Sequence, residues 1–154
     1  MHLSTRGRYA VMAMVDLATQ DTCCGPVSLA CIADRQQLSL CYLEQLFGPL
    51  RRAGLVTSAR GPGGGYRLAR PAAKICIAEV IEAVEEPIRA TRCDIAGEGC
   101  LRGPSGAQKP CSTHDLWAEL GRQIDFFLRA VSLDDVVRGR VNGRAMALAL
   151  LEDA

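Results

Sequence analysis

The sequence has no apolar run approaching the ~20 residues that a helix needs to cross a bilayer. Its longest are YAVMAMV at 9–15 and AMALALL at 145–151, and the start of the chain lacks the charged-then-apolar export pattern. These absences predict a cytoplasmic protein with no membrane partner. Aromatic residues are scarce, at 5% against 49% hydrophobic overall, so 154 residues should form one or two small domains around a modest aliphatic core. No C-x-x-C pair occurs among the eight cysteines, although Cys23 and Cys24 are adjacent. In a reducing compartment cysteines at this density are not a disulfide framework, which turns attention to metal or redox chemistry. Internal repeats and low-complexity segments are also missing.

A net charge of +1 conceals an asymmetry. Residues 1–74 carry nine Arg/Lys against four acids, a net of +5, whereas residues 75–154 carry nine against thirteen, a net of −4. A basic half joined to an acidic half predicts that the first meets a polyanion.

Hydrophobic spacing in the first half predicts a helix from a Ser4 cap through Ala10, Ala13, Met14, Leu17 and Ala18, ending before Cys-Cys-Gly-Pro. Ser28 can cap a short helix bearing Leu29, Ile32 and Ala33. Ser39 can cap a second, with Leu40, Leu43, Leu46 and Phe47 on one face. Gly48-Pro49 predicts a kink or an early end near Phe47. LVTSA and YRLA then read as strands flanking RGPGGG, a turn suited to positive φ. This is a winged helix-turn-helix, mainly α with a small β wing. A nucleotide phosphate loop is excluded, because no Lys-Ser/Thr follows the glycines and no helix starts there. The outward side of the second short helix offers Ser39, Cys41, Tyr42, Glu44 and Gln45; Gln can read adenine, Ser and Tyr can bond bases or phosphates, and Glu can accept from cytosine. Arg60 at the wing tip can enter a minor groove, although charge alone equally fits a solvated surface arginine. Double-stranded DNA is the expected partner.

In the second half, KICIAEVIEAVEE starts extended and becomes a helix through Ala78, Val80, Ile81 and Val84, expected to pack on the DNA-binding domain. Ser112 with Asp115 predicts a capping box and a helix start near Thr113. Along it Trp117, Leu120, Ile124, Phe127 and Val131 form a coiled-coil-like seam, favouring a homodimer that binds operator half-sites. Ser132 caps a further brief helix. The chain thus divides into a winged-helix domain at 1–90, a Cys-rich loop at 91–112, and a long C-terminal dimerisation helix with a short tail at 113–154. Cys31 and Cys76 are expected in apolar contacts, and Cys41 exposed.

The loop places Cys93, Cys100, Cys111 and His114 at intervals of six, ten and two residues among glycines. Three thiolates and an imidazole satisfy tetrahedral zinc, and equally an iron-sulfur cluster in which histidine replaces one cysteine. The spacing leaves both open. A Cys111/His114 nucleophilic dyad lacks an orienting acid and a cleft, so the chain is not read as an enzyme.

LSTRGRYAVMAMVDLA, LSLCYLEQLF, RGPGGGYRL and the TRC…C…CSTHDLW pattern together resemble the IscR-type iron-sulfur cluster regulators, a branch of the bacterial winged-helix repressor family, over nearly the whole chain. The resemblance implies a homodimeric transcription factor that ligates a 2Fe-2S cluster through Cys93, Cys100, Cys111 and His114 and receives it from cluster donor proteins. In that branch the loaded form represses the cluster-assembly operon, and the cluster-free form acts at a second class of sites. The DNA-contacting positions carried over are Ser39, Tyr42, Glu44, Gln45 and Arg60, with Glu44 resembling the residue that discriminates site classes. Relatives that sense nitric oxide hold a 4Fe-4S cluster with an acidic ligand near position 8, where this chain has Arg8. The interval between Cys100 and Cys111 is longer than the usual pattern, Cys41 replaces a common serine, and the tail is short.

Overall fold

The structure is a computed structural model describing residues 5–20, 25–84 and 111–142, with the backbone of 101–102 and 108–109. The expected Ser4 cap lies outside them. The first helix, α1 (Thr5–Gln20), buries Ala10, Ala13, Met14 and Leu17 and so supplies one wall of the core. After it come α2 (Leu29–Gln36) and α3 (Leu40–Arg52). Both predicted caps form: Ser28 Oγ accepts from the Cys31 N–H and Ser39 Oγ from the Tyr42 N–H, each at 3.2 Å. Between them Gln37 adopts the left-handed conformation at φ 53°, and the Leu38 N–H closes on the Ala33 carbonyl at 2.9 Å. A three-residue turn therefore fixes the entry of α3.

Helix α3 does not end at Phe47. It runs to Arg52 with Pro49 inside it. Gly48 has no Cβ to clash with the proline ring, the carbonyl that loses its donor belongs to exposed Gln45, and fully buried Leu50 holds the last turn in the core. Leu40, expected on the apolar face, is 43% exposed; Leu43, Leu46, Phe47 and Leu50 make that face instead.

The wing is the antiparallel pair β1 (Val56–Ala59) and β2 (Gly65–Leu68), in register Val56↔Leu68 through Ala59↔Gly65. At its tip Gly61 has φ +103°. Tyr66 seats the wing twice. Its ring meets Phe47 edge-on at 4.8 Å, and its backbone exchanges hydrogen bonds of 2.9 and 2.7 Å with Val27. A Cβ on neighbouring Gly65 would lie 2.3 Å from the Val27 carbonyl oxygen. Gly65→Ala is therefore expected to cost about 1–3 kcal/mol by pushing the wing off the segment leading into α2, measured as the urea-unfolding midpoint.

Helix α4 (Ile77–Val84) buries Ile77, Ala78, Val80, Ile81 and Val84 and packs on α1 and α3. The long helix α5 (His114–Ala130) has no fully buried residue. Its far end is nevertheless pinned to the winged-helix unit. Arg129 pairs with Glu82 of α4, the Ile77 N–H donates to Val131 O, and the Leu133 N–H donates to Ile75 O, the last two at 2.9 Å. Val131 and Leu133 are core residues, and the short α6 (Leu133–Val137) then packs back on α1. Its cap is the capping box of Ser132 and Asp135. The expected box at Ser112 is not present. Thr113 takes the cap position without a side-chain hydrogen bond to the backbone.

One buried acid ties α1 to the helix-turn-helix. Asp16, 8% exposed, accepts from Arg35 Nε at 3.0 Å, Arg35 Nη2 at 2.5 Å and Gln36 Nε2 at 2.8 Å. Burial pushes this carboxyl up, but the hydrogen bonds from Arg35 and Gln36 and the charge of Arg35 outweigh it and hold it below the ordinary carboxylate value. A depressed folded-state value means the contribution is complete above the unfolded value, about 4, and is lost as pH falls through the folded one. Asp16→Asn is expected to lose about 1–2 kcal/mol at neutral pH, less than a fully buried pair would lose because Arg35 can rehydrate. Urea unfolding should show that deficit shrinking as the pH is taken from 7 to 3.

Candidate nucleic-acid interface and metal-ligand segment

Helix α3 and the wing present most of the predicted DNA-reading residues. Ser39, Glu44, Gln45 and Arg60 are exposed, whereas Tyr42 is half-buried, its ring edge-on to Tyr9 of α1 at 5.9 Å. Ser39 is already engaged as the helix cap, so its contribution to DNA contact is shared with that duty. Cys41, as expected, is exposed, with its Sγ 3.9 Å from Gln45 Nε2.

Ion pairing sharpens the charge asymmetry. Arg8, Arg51, Arg52, Arg60 and Arg67 are exposed and form no ion pair among the described residues. By contrast Arg122, Arg129, Arg138 and Arg140 each bind a carboxylate of their own half of the chain. The first half therefore keeps positive charge available to phosphates while the second neutralises its own. Sequence counting gave the sign of this difference. The pairing that sets its size depends on which acids fall within reach.

Of the predicted metal ligands, Cys93 and Cys100 lie outside the described residues, and Cys111 and His114 are half-buried at the entry of α5. The His114 N–H donates to the Cys111 carbonyl at 3.0 Å, so both donors hang from one turn of backbone. Thr113 was not singled out by the sequence. Its hydroxyl stands 3.5 Å from Cys111 Sγ and accepts from the Trp117 indole N–H at 3.2 Å, linking the thiol to the first turn of α5. A thiol and an imidazole three residues apart at a helix start suit the tetrahedral donor set of zinc or of a histidine-ligated cluster. Among the described residues no group of three or more His, Cys, Asp or Glu is gathered as a metal site.

The remaining cysteines divide differently from expectation. Cys31 is exposed, because its position on α2 faces away from Leu29, Ile32 and Ala33. Cys76 is half-buried, and burial pushes its thiol up, which keeps it protonated and a poor ligand or nucleophile. Along α5 the expected seam is split. Phe127 and Val131 pack on the chain's own core, while Trp117 at 41% and Leu120 at 40% are exposed, joined by Leu116 at 62%.

A helix-turn-helix with a docked wing, an unneutralised arginine surface and a long, half-exposed C-terminal helix define a DNA-binding transcriptional regulator of the winged-helix class. Residues 3–139 match the Rrf2 family, described as iron-dependent transcriptional regulators, and the chain belongs to that family. It is 51% identical over 140 residues to the HTH-type transcriptional regulator IscR of Xenorhabdus nematophila, covering 91% of this chain and 81% of that protein. Among solved structures, T. potens IscR superposes with a TM-score of 0.71 at 37% identity, over 91% of this chain and 88% of that one. CymR, the global cysteine regulator of B. subtilis, gives 0.73 at 32% identity, over 90% and 97%. These relatives are regulators, and this chain is not an enzyme. Among the described residues no helix is long and apolar enough to cross a membrane.

Proposed function

We propose that this chain is a cytoplasmic, homodimeric regulator that holds a 2Fe-2S cluster through Cys93, Cys100, Cys111 and His114 and, when loaded, represses the genes of cluster assembly. The observation that carries the reading is the placement of Cys111 just before, and His114 at the start of, a helix whose far end is fixed to the winged-helix core. Two of its relatives, described above, carry the name IscR.

When bound, the cluster would supply metal–ligand bonds joining the four side chains and a centre sensitive to iron supply and oxygen. Everything else belongs to the chain. Cys111 and His114 tie the loop to the start of α5. Arg129 and Val131 transmit the position of α5 to α4, which packs on α1. Tyr9 of α1 rests against Tyr42 on the recognition helix. A change in how α5 is held therefore alters how α3, with Glu44 and Gln45 outward, meets DNA. Exposed Leu116, Trp117 and Leu120 favour a second copy as the partner of α5. Leu120→Glu is expected to convert dimer to monomer, read by sedimentation, and to weaken operator binding more than tenfold by uncoupling the half-sites.

The cofactor assignment is tested by an optical spectrum with iron, sulfide and zinc analysis of anaerobically prepared protein. Visible absorption with two irons and two sulfides per chain is the expected result. A colourless protein with one zinc per chain overturns the cluster and leaves a zinc-stabilised DNA binder.

A further inference from the structure

Thr113 stands at the cap position of α5 and does not cap it. A threonine there ordinarily turns its oxygen toward the backbone N–H groups of the first turn. Here the backbone is at φ −112° and ψ 11°, and the side chain makes no bond to them. Its Oγ1 instead accepts from the Trp117 indole N–H at 3.2 Å and lies 3.5 Å from Cys111 Sγ. Trp117 is tied to the same residue a second time, through its backbone N–H to the Thr113 carbonyl at 3.3 Å. It also belongs to the apolar face of α5, exposed beside Leu116 and Leu120. One hydroxyl therefore bridges a candidate ligand thiol and the face assigned above to a second copy.

Proton counting gives the bridge a direction. A threonine hydroxyl has one proton to give and two lone pairs to receive with, whereas an indole N–H can only donate. The indole takes a lone pair, and the hydroxyl proton remains for the sulfur. A metal-bound cysteine is a thiolate with no proton of its own, so in that state only the hydroxyl can donate. We infer that Thr113 is a positioning residue whose hydroxyl relays the state of Cys111 to Trp117, giving to the sulfur while receiving from the indole, and so couples the ligand segment to the apolar face of α5. The use made of the relay rests on the metal-ligand reading above; the relay needs only the three side chains. Successive hydrogen bonds polarise one another, so a stronger bond to sulfur strengthens the one from the indole.

Trp117 is the single tryptophan of the chain, so its indole N–H gives one cross-peak in a proton–nitrogen spectrum of reduced, metal-free full-length protein. A double-mutant cycle on that peak tests the relay. Thr113→Val, of similar size without the hydroxyl, is expected to move the peak and to speed its exchange with water roughly 2- to 12-fold, the range one net hydrogen bond allows. Thr113→Ser restores both to the parent values. Cys111→Ala shifts the peak in the parent and leaves it unmoved in the Thr113→Val background. Equal displacement by Cys111→Ala in both backgrounds overturns the relay, because the sulfur then acts on the indole without the hydroxyl. A hydroxyl that serves the helix alone also overturns it: Thr113→Val would then lower the urea midpoint and leave the indole peak where it was.

Iron and zinc analysis of anaerobically prepared parent protein, made alongside, separates the two failures. Bound iron together with equal displacement in both backgrounds removes the relay and leaves the cluster. A hydroxyl-dependent displacement in a chain that takes up no iron keeps the relay and removes the cluster.

Discussion

Cys111→Ala is expected to abolish the visible absorption of the anaerobically purified protein while leaving its unfolding free energy within about 0.5 kcal/mol of the parent. The large effect and the small one have the same origin. Cys111 sits half-buried just before α5, a helix with no fully buried residue, so core packing does not depend on the thiol. The Thr113 hydroxyl, 3.5 Å from Cys111 Sγ, also receives the Trp117 indole and keeps that contact in the variant. With the proposed ligand set, loss of the Cys111 thiolate leaves three donors, and the cluster is expected to be released in air. The variant should therefore be a folded protein fixed in the cluster-free behaviour, with altered preference between promoter classes. A variant that keeps both colour and promoter preference would remove Cys111 from the ligand set.

Arg60→Ala is expected to weaken operator binding by about 1–3 kcal/mol, or roughly 5- to 150-fold in Kd, and to reduce the salt dependence of log Kobs by about one unit of slope. The reason lies in pairing as much as in position. Arg60 is exposed at the end of β1 with no ion pair among the described residues, so its charge is available to a minor groove or a phosphate. Arg138, equally exposed, is bound to Asp134 at 2.8 Å. Arg138→Ala should leave affinity and salt slope unchanged, and a competitive titration of both variants on one operator fragment measures the contrast. A larger loss on A·T-rich wing contacts than on G·C-rich ones would mark Arg60 as reading groove width.

Local chemistry made most of the winged helix legible. Ser28 and Ser39 announce their helices because a cap requires only a side-chain oxygen and the next turn of backbone. RGPGGGYR announces a wing because few other residues accept the backbone its tip adopts. What escaped the sequence is set by contacts far apart along the chain. Pro49 reads as a helix breaker until the burial of Leu50 is known. The burial of Asp16 has no local signal, because its partner Arg35 lies nineteen residues away. Val131 reads as the end of a dimer seam and Leu133 as part of a brief capped helix, but their backbones bond to Ile77 and Ile75 and carry the chain back to the core. At the candidate metal-ligand segment the residue types and their order were readable. The antiparallel pairing of Leu101–Arg102 with Gln108–Lys109 was not, since two residue pairs give no periodicity to detect.

The central claim is that occupancy of the Cys/His segment governs how α3 and the wing engage DNA. It is tested most directly by titrating two promoter classes with one anaerobic preparation, before and after its iron is removed by chelation, at fixed salt. The account predicts that removal of iron lowers affinity for the cluster-assembly promoter at least tenfold while the second class is retained. Equal affinities for both promoters in the two states would contradict it.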